Sequence, residues 1–186
     1  QGSYTSIALI SGHGLLAFRD PFGIRPLVIG KRIALKSQKE EWMVASESLV
    51  LENNDYQVVR DVEPGEAIFI NHNGEFFSKQ CSDNPKLCPC AFEYVYLARP
   101  DSIMNGISVY KARLKMGDYL AETIKEKIKS GDVDVVMPIP DSSRPAAMQV
   151  ARQLGIEYRE GFFKNRYVGR TFIMPGQQKR KKSVRQ

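Results

Sequence analysis

The clearest chemistry in the sequence lies in the polar stretch Asp141-Ser142-Ser143-Arg144. It follows the apolar run VDVVMPIP (133–140) and precedes a helical pattern, so it is expected to leave a buried strand and open a helix. Ligands of open α/β sheets bind at that edge, and the N–H groups of a helix start favour phosphate. Arg144 adds a cation, and Asp141 and Ser142 offer the oxygen ligands that Mg²⁺ prefers. The same residues suit ordinary helix capping, and the stretch alone leaves both alternatives open.

A second group of cationic side chains follows one predicted strand later, in KNRYVGR (164–170). Basic side chains around a glycine suit a mobile loop that closes over a polyphosphate and excludes water. The alternative is a solvated charged edge. The basic run KRKK (179–182) is able to bind nucleic acid nonspecifically, but it lacks interleaved aromatic residues, so it is weak evidence for that function.

The positive charge of the chain is concentrated at its end. The formal net charge is +6, from 27 Lys and Arg against 21 Asp and Glu. Residues 161–186 carry eight basic residues and no acidic one, which leaves 19 basic against 21 acidic residues elsewhere. The sequence therefore describes a nearly neutral globular body with a basic segment that seeks anions.

Composition excludes several classes of protein. Hydrophobic residues make up 42% of the 186 residues and charged residues 26%, a balance that supports a folded core. No apolar run reaches the ~18 residues of a membrane span, and no signal peptide is apparent. The three cysteines, Cys81, Cys88 and Cys90, indicate a reducing compartment and are spaced poorly for structural zinc. The chain starts at Gln1, and we expect it to be a fragment.

The first half of the sequence predicts antiparallel sheet. Short β-rich segments alternate with turn residues, and apolar residues alternate on both sides of Asn73-Gly74, a strong hairpin signal. Strands are predicted over residues 4–10, 15–20, 27–32, 42–48 and 56–62, and a hairpin over 68–80.

The second half changes to helical periodicity. Apolar residues recur every three or four positions from Ser108 to Ser130, which predicts an amphipathic helix. A buried strand (133–140), a helix with Pro145 in its first turn that stops at Gly155, and a strand over 156–163 then form a β–loop–α–β unit. The sequence places the domain boundary near residues 88–105.

Specific motifs carry a family resemblance. Segments that resemble glutaminase domains with an N-terminal nucleophile are FRDPFGIRPL (18–27), MVASES (43–48) and VEPGEAI (62–68). Segments that closely resemble the glutamine phosphoribosylpyrophosphate amidotransferases are FEYVYLARPDS (92–102), VVMPIPDSS (135–143) and KNRYVGRTFIMPGQQKRKKSVR (164–185). In this order they cover essentially the whole chain.

The resemblance implies an α+β part followed by an α/β part. Residues 1–90 would be the C-terminal part of a glutaminase (N-terminal-nucleophile hydrolase) sheet domain, and residues 91–186 the N-terminal part of a type I phosphoribosyltransferase domain. The family hydrolyses glutamine with a cysteine at the mature N-terminus. The ammonia passes through an internal channel and displaces pyrophosphate from phosphoribosyl pyrophosphate (PRPP). The product, 5-phosphoribosylamine, begins purine (IMP) synthesis.

The resemblance also assigns roles to residues of this sequence. It implies that Asp141, Ser142, Ser143 and Arg144 bind the pyrophosphate of PRPP, with Ser142 touching Mg²⁺. It implies a flexible loop that closes when PRPP binds, formed by Lys164, Asn165, Arg166, Tyr167, Gly169 and Arg170. The basic tail then faces phosphate, and no nucleic acid is expected as a partner.

Other implications concern what the chain does not contain. The nucleophilic cysteine is expected upstream and an acidic PRPP-binding loop downstream, so no catalytic residue is assigned here and the chain alone is expected to be inactive. Some members carry an iron–sulfur cluster, and Cys90 lies where one ligand falls. Residues 174–185, however, resemble the branch without a cluster, so none is expected. The family suggests a cytoplasmic homotetramer inhibited by purine nucleotides.

Two hypotheses of other classes remain alternatives at this point. The first is a non-catalytic module that senses PRPP or a nucleotide through the polar stretch 141–144. The second is a nucleic-acid-binding protein that depends on the basic tail, whose affinity would fall steeply with salt. The sequence favours the amidotransferase because its motifs extend over both halves of the chain.

Overall fold

The structure is a computed structural model that describes residues 2–129, 131–165, 167 and 175–184. The chain divides into two compact units, Gln1–Met116 and Gly117–Gln186. Within the described ranges, no helix is both long and apolar enough to cross a membrane. The predicted boundary between residues 90 and 91, which came from the family resemblance, stays a prediction.

The first unit contains two antiparallel sheets. One is built from β1 (Thr5–Ile10), β2 (Gly14–Arg19), β6 (Glu66–Asn71) and β7 (Phe76–Gln80), in the order β1-β2-β6-β7. The other is built from β3 (Val28–Ile33), β4 (Glu40–Ala45) and β5 (Gln57–Asp61), in the order β4-β3-β5. Antiparallel sheet in the first half is thus confirmed.

The predicted hairpin joins β6 and β7. Ile70 pairs with Phe76, and Gly74 takes φ 86°, a left-handed conformation that glycine adopts without steric cost. The Asn71 side-chain oxygen accepts hydrogen bonds from the N–H groups of Asn73 and Glu75. Side chains of β6 alternate between buried and half-buried, which orients one face of this strand toward the core.

The main core of the first unit combines side chains of both sheets. Its buried members come from β2, β3, β6 and the segments beside them: Ala17, Leu27, Ile29, Val62, Ile68 and Ile70. A smaller cluster on the other side of β3 joins Val28 and Ala45 to Leu51 of the short helix α1 (Ser48–Glu52). The apolar faces of the strands therefore determine how the sheets pack.

Residues 91–116 also pack in the first unit. They form a π-helix (Glu93–Leu97), the two-residue strands β8 (Ile103–Met104) and β9 (Ile107–Ser108), and the start of α2 (Val109–Lys127). For residues 93–102 the sequence predicted only an irregular connection. A small core of Tyr94, Ala98, Met104 and Val109 holds this segment together.

The second unit contains the predicted β–loop–α–β order. β10 (Val135–Val136) and β11 (Glu157–Tyr158) pair in parallel, and α3 (Arg144–Leu154) connects them. The helix predicted over 108–130 is α2, and it ends at Lys127. The basic tail forms α4 (Gln177–Val184), a helix that periodicity did not predict.

Several predicted strand boundaries are wrong. The strands expected over 133–140 and 156–163 pair over two residues each. Pro138 and Pro140 lack the N–H that a longer ladder requires, which helps to explain the short β10. The strand expected over 42–48 is β4, which starts at Glu40 because Glu40 and Glu41 pair across the ladder with basic residues of β3, and which ends at Ala45.

Candidate functional site

The candidate site is the connection from β10 to the start of α3. Residues 140–143 form turns directly before the helix, Pro145 lies in its first turn, and Gly155 ends it with φ 65°. Val150 and Ala151 bury one face of α3, which anchors the helix to its unit. The polar residues 141–144 are therefore placed at the helix start, where the sequence predicted them.

The structure shows no helix capping by the Ser143 side chain. Ser143, the residue before α3, has right-handed helical angles, and its side chain makes no capping hydrogen bond to the helix. The Ser143 hydroxyl instead donates a hydrogen bond to the carbonyl oxygen of Ile139. The N–H of Arg144 donates to the carbonyl oxygen of Asp141 at 3.3 Å. The positive end of the helix dipole is thus left without a side-chain cap, as an anion site requires.

Arg144 is the cation of the site, and two carboxylates engage it. One terminal nitrogen lies 3.5 Å from Asp141 Oδ1 and the other 3.2 Å from Glu160 Oε2. The Arg144 Nε is buried and has no hydrogen-bond partner among the described residues. The guanidinium therefore lies beside the helix start with its charge partly neutralised by two acids.

Sequence reasoning did not find Glu160. It lies two residues after β11, in a segment predicted as plain strand, and no local pattern distinguishes it from other exposed acids. The Tyr158 hydroxyl donates to Glu160 Oε1 at 3.4 Å. Burial, together with the negative charge of Glu160, raises the pKa of Tyr158. The parallel pairing of β10 and β11 is what brings Glu160 to the site.

The predicted Mg²⁺ ligand, Ser142, has a half-buried side chain next to the exposed carboxylate of Asp141. Both are hard oxygen donors, which fit Mg²⁺. Among the described residues, no group of three or more His, Cys, Asp or Glu side chains is arranged to hold a metal ion. The donor set thus fits a cation that takes its remaining ligands from water and from substrate phosphates.

Only part of the predicted flexible loop can be placed. Lys164, Asn165 and Tyr167 are exposed, and the Asn165 side-chain oxygen accepts a hydrogen bond from the Tyr167 N–H at 3.0 Å. Arg166, Gly169 and Arg170 lie outside the described residues. The proposed loop function of these six residues stays a prediction.

The three cysteines lie in the first unit. Cys81 and Cys88 are exposed and Cys90 is half-buried. The N–H groups of Cys88 and Cys90 donate to the carbonyl oxygens of Phe22 and Ile24. These contacts align the backbone of residues 88–90 beside the turn that follows β2.

The chain is similar to curated amidophosphoribosyltransferases from bacteria and yeast. It is 56% identical over 185 residues to the amidophosphoribosyltransferase of Pseudomonas aeruginosa and 57% identical over 185 residues to that of Escherichia coli; each match covers 100% of this chain and 36% of the relative. The amidophosphoribosyltransferase of Saccharomyces cerevisiae is 50% identical over 188 residues, which cover 100% of this chain and 37% of the relative. The chain thus spans little more than a third of the length of these relatives.

Two solved structures are also similar to the chain over nearly its whole length. A glutamine PRPP amidotransferase from B. subtilis, complexed with ADP and GMP, matches with a TM-score of 0.74 and 38% identity over 98% of this chain and 37% of that one. A structure described as the allosteric regulatory enzyme of purine biosynthesis matches with a TM-score of 0.76 and 38% identity over 98% of this chain and 36% of that one. No protein-family model matches the chain. Over its whole length, the chain is therefore similar to a segment that makes up about a third of each of these amidophosphoribosyltransferases.

Proposed function

We propose that the protein to which this chain belongs makes 5-phosphoribosylamine from PRPP and glutamine, the first step of purine synthesis. The observation that carries the proposal is 50–57% identity to amidophosphoribosyltransferases of two bacteria and a yeast, with every match spanning the whole chain. The matches cover both the first unit with its sheets and the second unit with its β–loop–α–β order.

The second unit contributes the pyrophosphate site in this proposal. During transfer, ammonia forms a bond to C1 of the ribose while the bond from C1 to the pyrophosphate oxygen breaks, so negative charge accumulates on the leaving group. In this proposal the N–H groups at the start of α3 and the Arg144 guanidinium stabilise that charge; the position of Arg144 beside the helix start supports this role. Asp141 and Ser142 would hold Mg²⁺, which supplies further charge neutralisation when it is bound with the diphosphate.

Other elements of the proposal lie beyond the described site. The cysteine that hydrolyses glutamine lies upstream, and residues 164–170 begin a loop that closes over PRPP. We further propose a cytoplasmic homotetramer that purine nucleotides inhibit. The B. subtilis relative complexed with ADP and GMP supports nucleotide binding.

We also propose that the protein carries no iron–sulfur cluster, because residues 174–185 resemble members of the family without one. Cys90 then serves as an ordinary half-buried thiol. Iron and acid-labile sulfide in the purified full-length protein would contradict this.

The test is Ser142→Ala in the full-length protein. Removing a hydroxyl that touches a charged ligand costs about 1.5–3 kcal/mol, so we expect the KM for PRPP to rise about tenfold or more. Ser37→Ala, on the exposed connection between β3 and β4, is the matched control and should leave KM unchanged. A wild-type protein without PRPP-dependent glutamine consumption would refute the function, and an unchanged KM in Ser142→Ala would refute the assigned site.

A further inference from the structure

Glu160 is an acidic residue inside a site proposed to bind an anion. Its Oε2 lies 3.2 Å from a terminal nitrogen of Arg144, and both side chains are 36% exposed. Its other oxygen accepts the hydrogen bond of the Tyr158 hydroxyl. Each oxygen of the Glu160 carboxylate therefore has a partner, Arg144 for one and Tyr158 for the other.

The backbone around Glu160 is also held in place. The Arg159 N–H donates to the carbonyl oxygen of Val136 at 3.1 Å, which extends the contact between β10 and β11. Gly161, the residue after Glu160, lies against the side chain of Met137, beside β10. The backbone on both sides of Glu160 therefore contacts the segment of β10.

The charges of the site explain what this contact does. Arg144 faces Asp141 and Glu160, so these three side chains together carry one negative charge. A diphosphate bound to Arg144 competes with Glu160 for the terminal nitrogen that this carboxylate engages, since guanidinium binds carboxylate and phosphate through the same kind of N–H donor. A carboxylate that stays in place would also repel the phosphate oxygens.

We propose that Glu160 is an internal competitor for Arg144, which the diphosphate group of the substrate must displace when it binds. The inference rests on the proposed function and adds a regulatory element to that site. Glu160 lowers the affinity for diphosphate and so favours release of the pyrophosphate product.

The test is Glu160→Gln in the full-length protein, with inorganic pyrophosphate and Mg²⁺ as the probe in isothermal titration calorimetry. Gln keeps the shape of the side chain and removes its charge. Since the pair is partly exposed, its loss should tighten the Kd for pyrophosphate by a modest factor, about threefold to fivefold.

Glu157→Gln is the matched control. Glu157 lies on β11, pairs with Arg159 at 2.8 Å and is 59% exposed, so this variant changes the net charge equally without touching Arg144. We expect its Kd for pyrophosphate to stay within about twofold of wild type. If Glu160→Gln does not fold, Glu160→Asp, which shortens the side chain, weakens its contact with Arg144 and retains the charge, should tighten binding by a smaller factor.

The outcomes separate the two proposals. A wild-type protein that binds neither pyrophosphate nor PRPP would refute the proposed function. A wild-type protein that binds, with equal or weaker binding by Glu160→Gln, would refute only the role of Glu160, because the acid would then orient Arg144. Equal tightening in Glu160→Gln and Glu157→Gln would show a general charge effect and also refute it.

Discussion

Arg19 is 2% exposed, and its guanidinium donates to the carbonyl oxygens of Gly23, Arg25 and Val62 at 2.7–2.8 Å. A fourth hydrogen bond, at 3.3 Å, reaches the side chain of Asn105. Burial lowers the pKa of Arg19, although acidic neighbours oppose the shift. Because carbonyl oxygens satisfy most of its donors, this buried cation joins the turn after β2 to residues 62 and 105 and is a structural group.

Glu93 is the corresponding buried acid. It is 5% exposed and forms an ion pair with Arg25. Burial raises the pKa of Glu93; the charge of Arg25 opposes the shift and that of Glu47 adds to it. A carboxyl whose pKa is higher in the folded than in the unfolded chain stabilises the fold at pH below the unfolded value, and this contribution is lost as pH rises through the folded value.

The raised pKa of Glu93 gives a prediction for the pH dependence of stability in Glu93→Gln. The Gln side chain resembles the protonated acid but does not titrate, so wild type and variant should have similar melting temperatures below the ordinary pKa of Glu. As pH rises toward neutral, the wild-type melting temperature should fall relative to that of the variant. Differential scanning fluorimetry of this chain across pH 4 to 8 measures the difference.

Glu52→Gln is the control, because Glu52 is exposed on α1 and its replacement should show no such trend. A wild-type advantage that grows with pH would contradict the prediction, since it would mean that the Arg25–Glu93 ion pair outweighs the cost of burying the carboxylate.

At the scale of elements, the packing of α2 on α3 depends on one glycine. A Cβ at Gly117 would lie 2.6 Å from the carbonyl oxygen of Ala146 and 2.9 Å from the Gln149 Cβ. Asp118, the next residue, accepts hydrogen bonds from the side chains of Gln149 and Gln153, which lower its pKa. The two helices therefore approach closely where α3 positions the site.

We expect Gly117→Ala to destabilise the chain. In an open helix Ala is favoured over Gly by about 0.5–1 kcal/mol, but overpacking a close contact costs about 1–3 kcal/mol. The net loss of unfolding free energy should be about 1–2 kcal/mol, which urea denaturation measures. Thr123→Ala raises helix propensity at an exposed position of α2 and should be neutral or slightly stabilising. Equal stability changes in the two variants would argue against the close approach.

At the scale of the whole molecule, the chain matches 36–37% of the length of its relatives in three organisms. The proposed reaction needs a cysteine nucleophile and an acidic PRPP loop, and we assign neither to these 186 residues. We therefore predict that the isolated chain shows no PRPP-dependent hydrolysis of glutamine. Release of glutamate, measured with and without PRPP beside the full-length protein as positive control, checks this. Turnover by the isolated chain would overturn it.

The local features of this protein followed from its sequence. Alternation around Asn73-Gly74 predicted the hairpin, and the three-to-four spacing of apolar residues predicted α2. Pro145 and Gly155 marked the limits of α3 and so the position of residues 141–144. Each depends on neighbours within one turn or hairpin, which is why periodicity and turn residues suffice. Motifs over the whole chain carried the resemblance to amidophosphoribosyltransferases, to which the chain is similar over its full length.

Only the tertiary structure decided which distant side chains meet. Arg144 and Glu160 are 16 residues apart in the sequence. They meet because β10, which precedes α3, pairs in parallel with β11, which follows it. Glu93 is buried beside Arg25, 68 residues away in the sequence, because the π-helix packs against the turn after β2. The strand lengths in the second unit were also mispredicted. Such contacts depend on register and packing between elements, and no local pattern in the sequence encodes them.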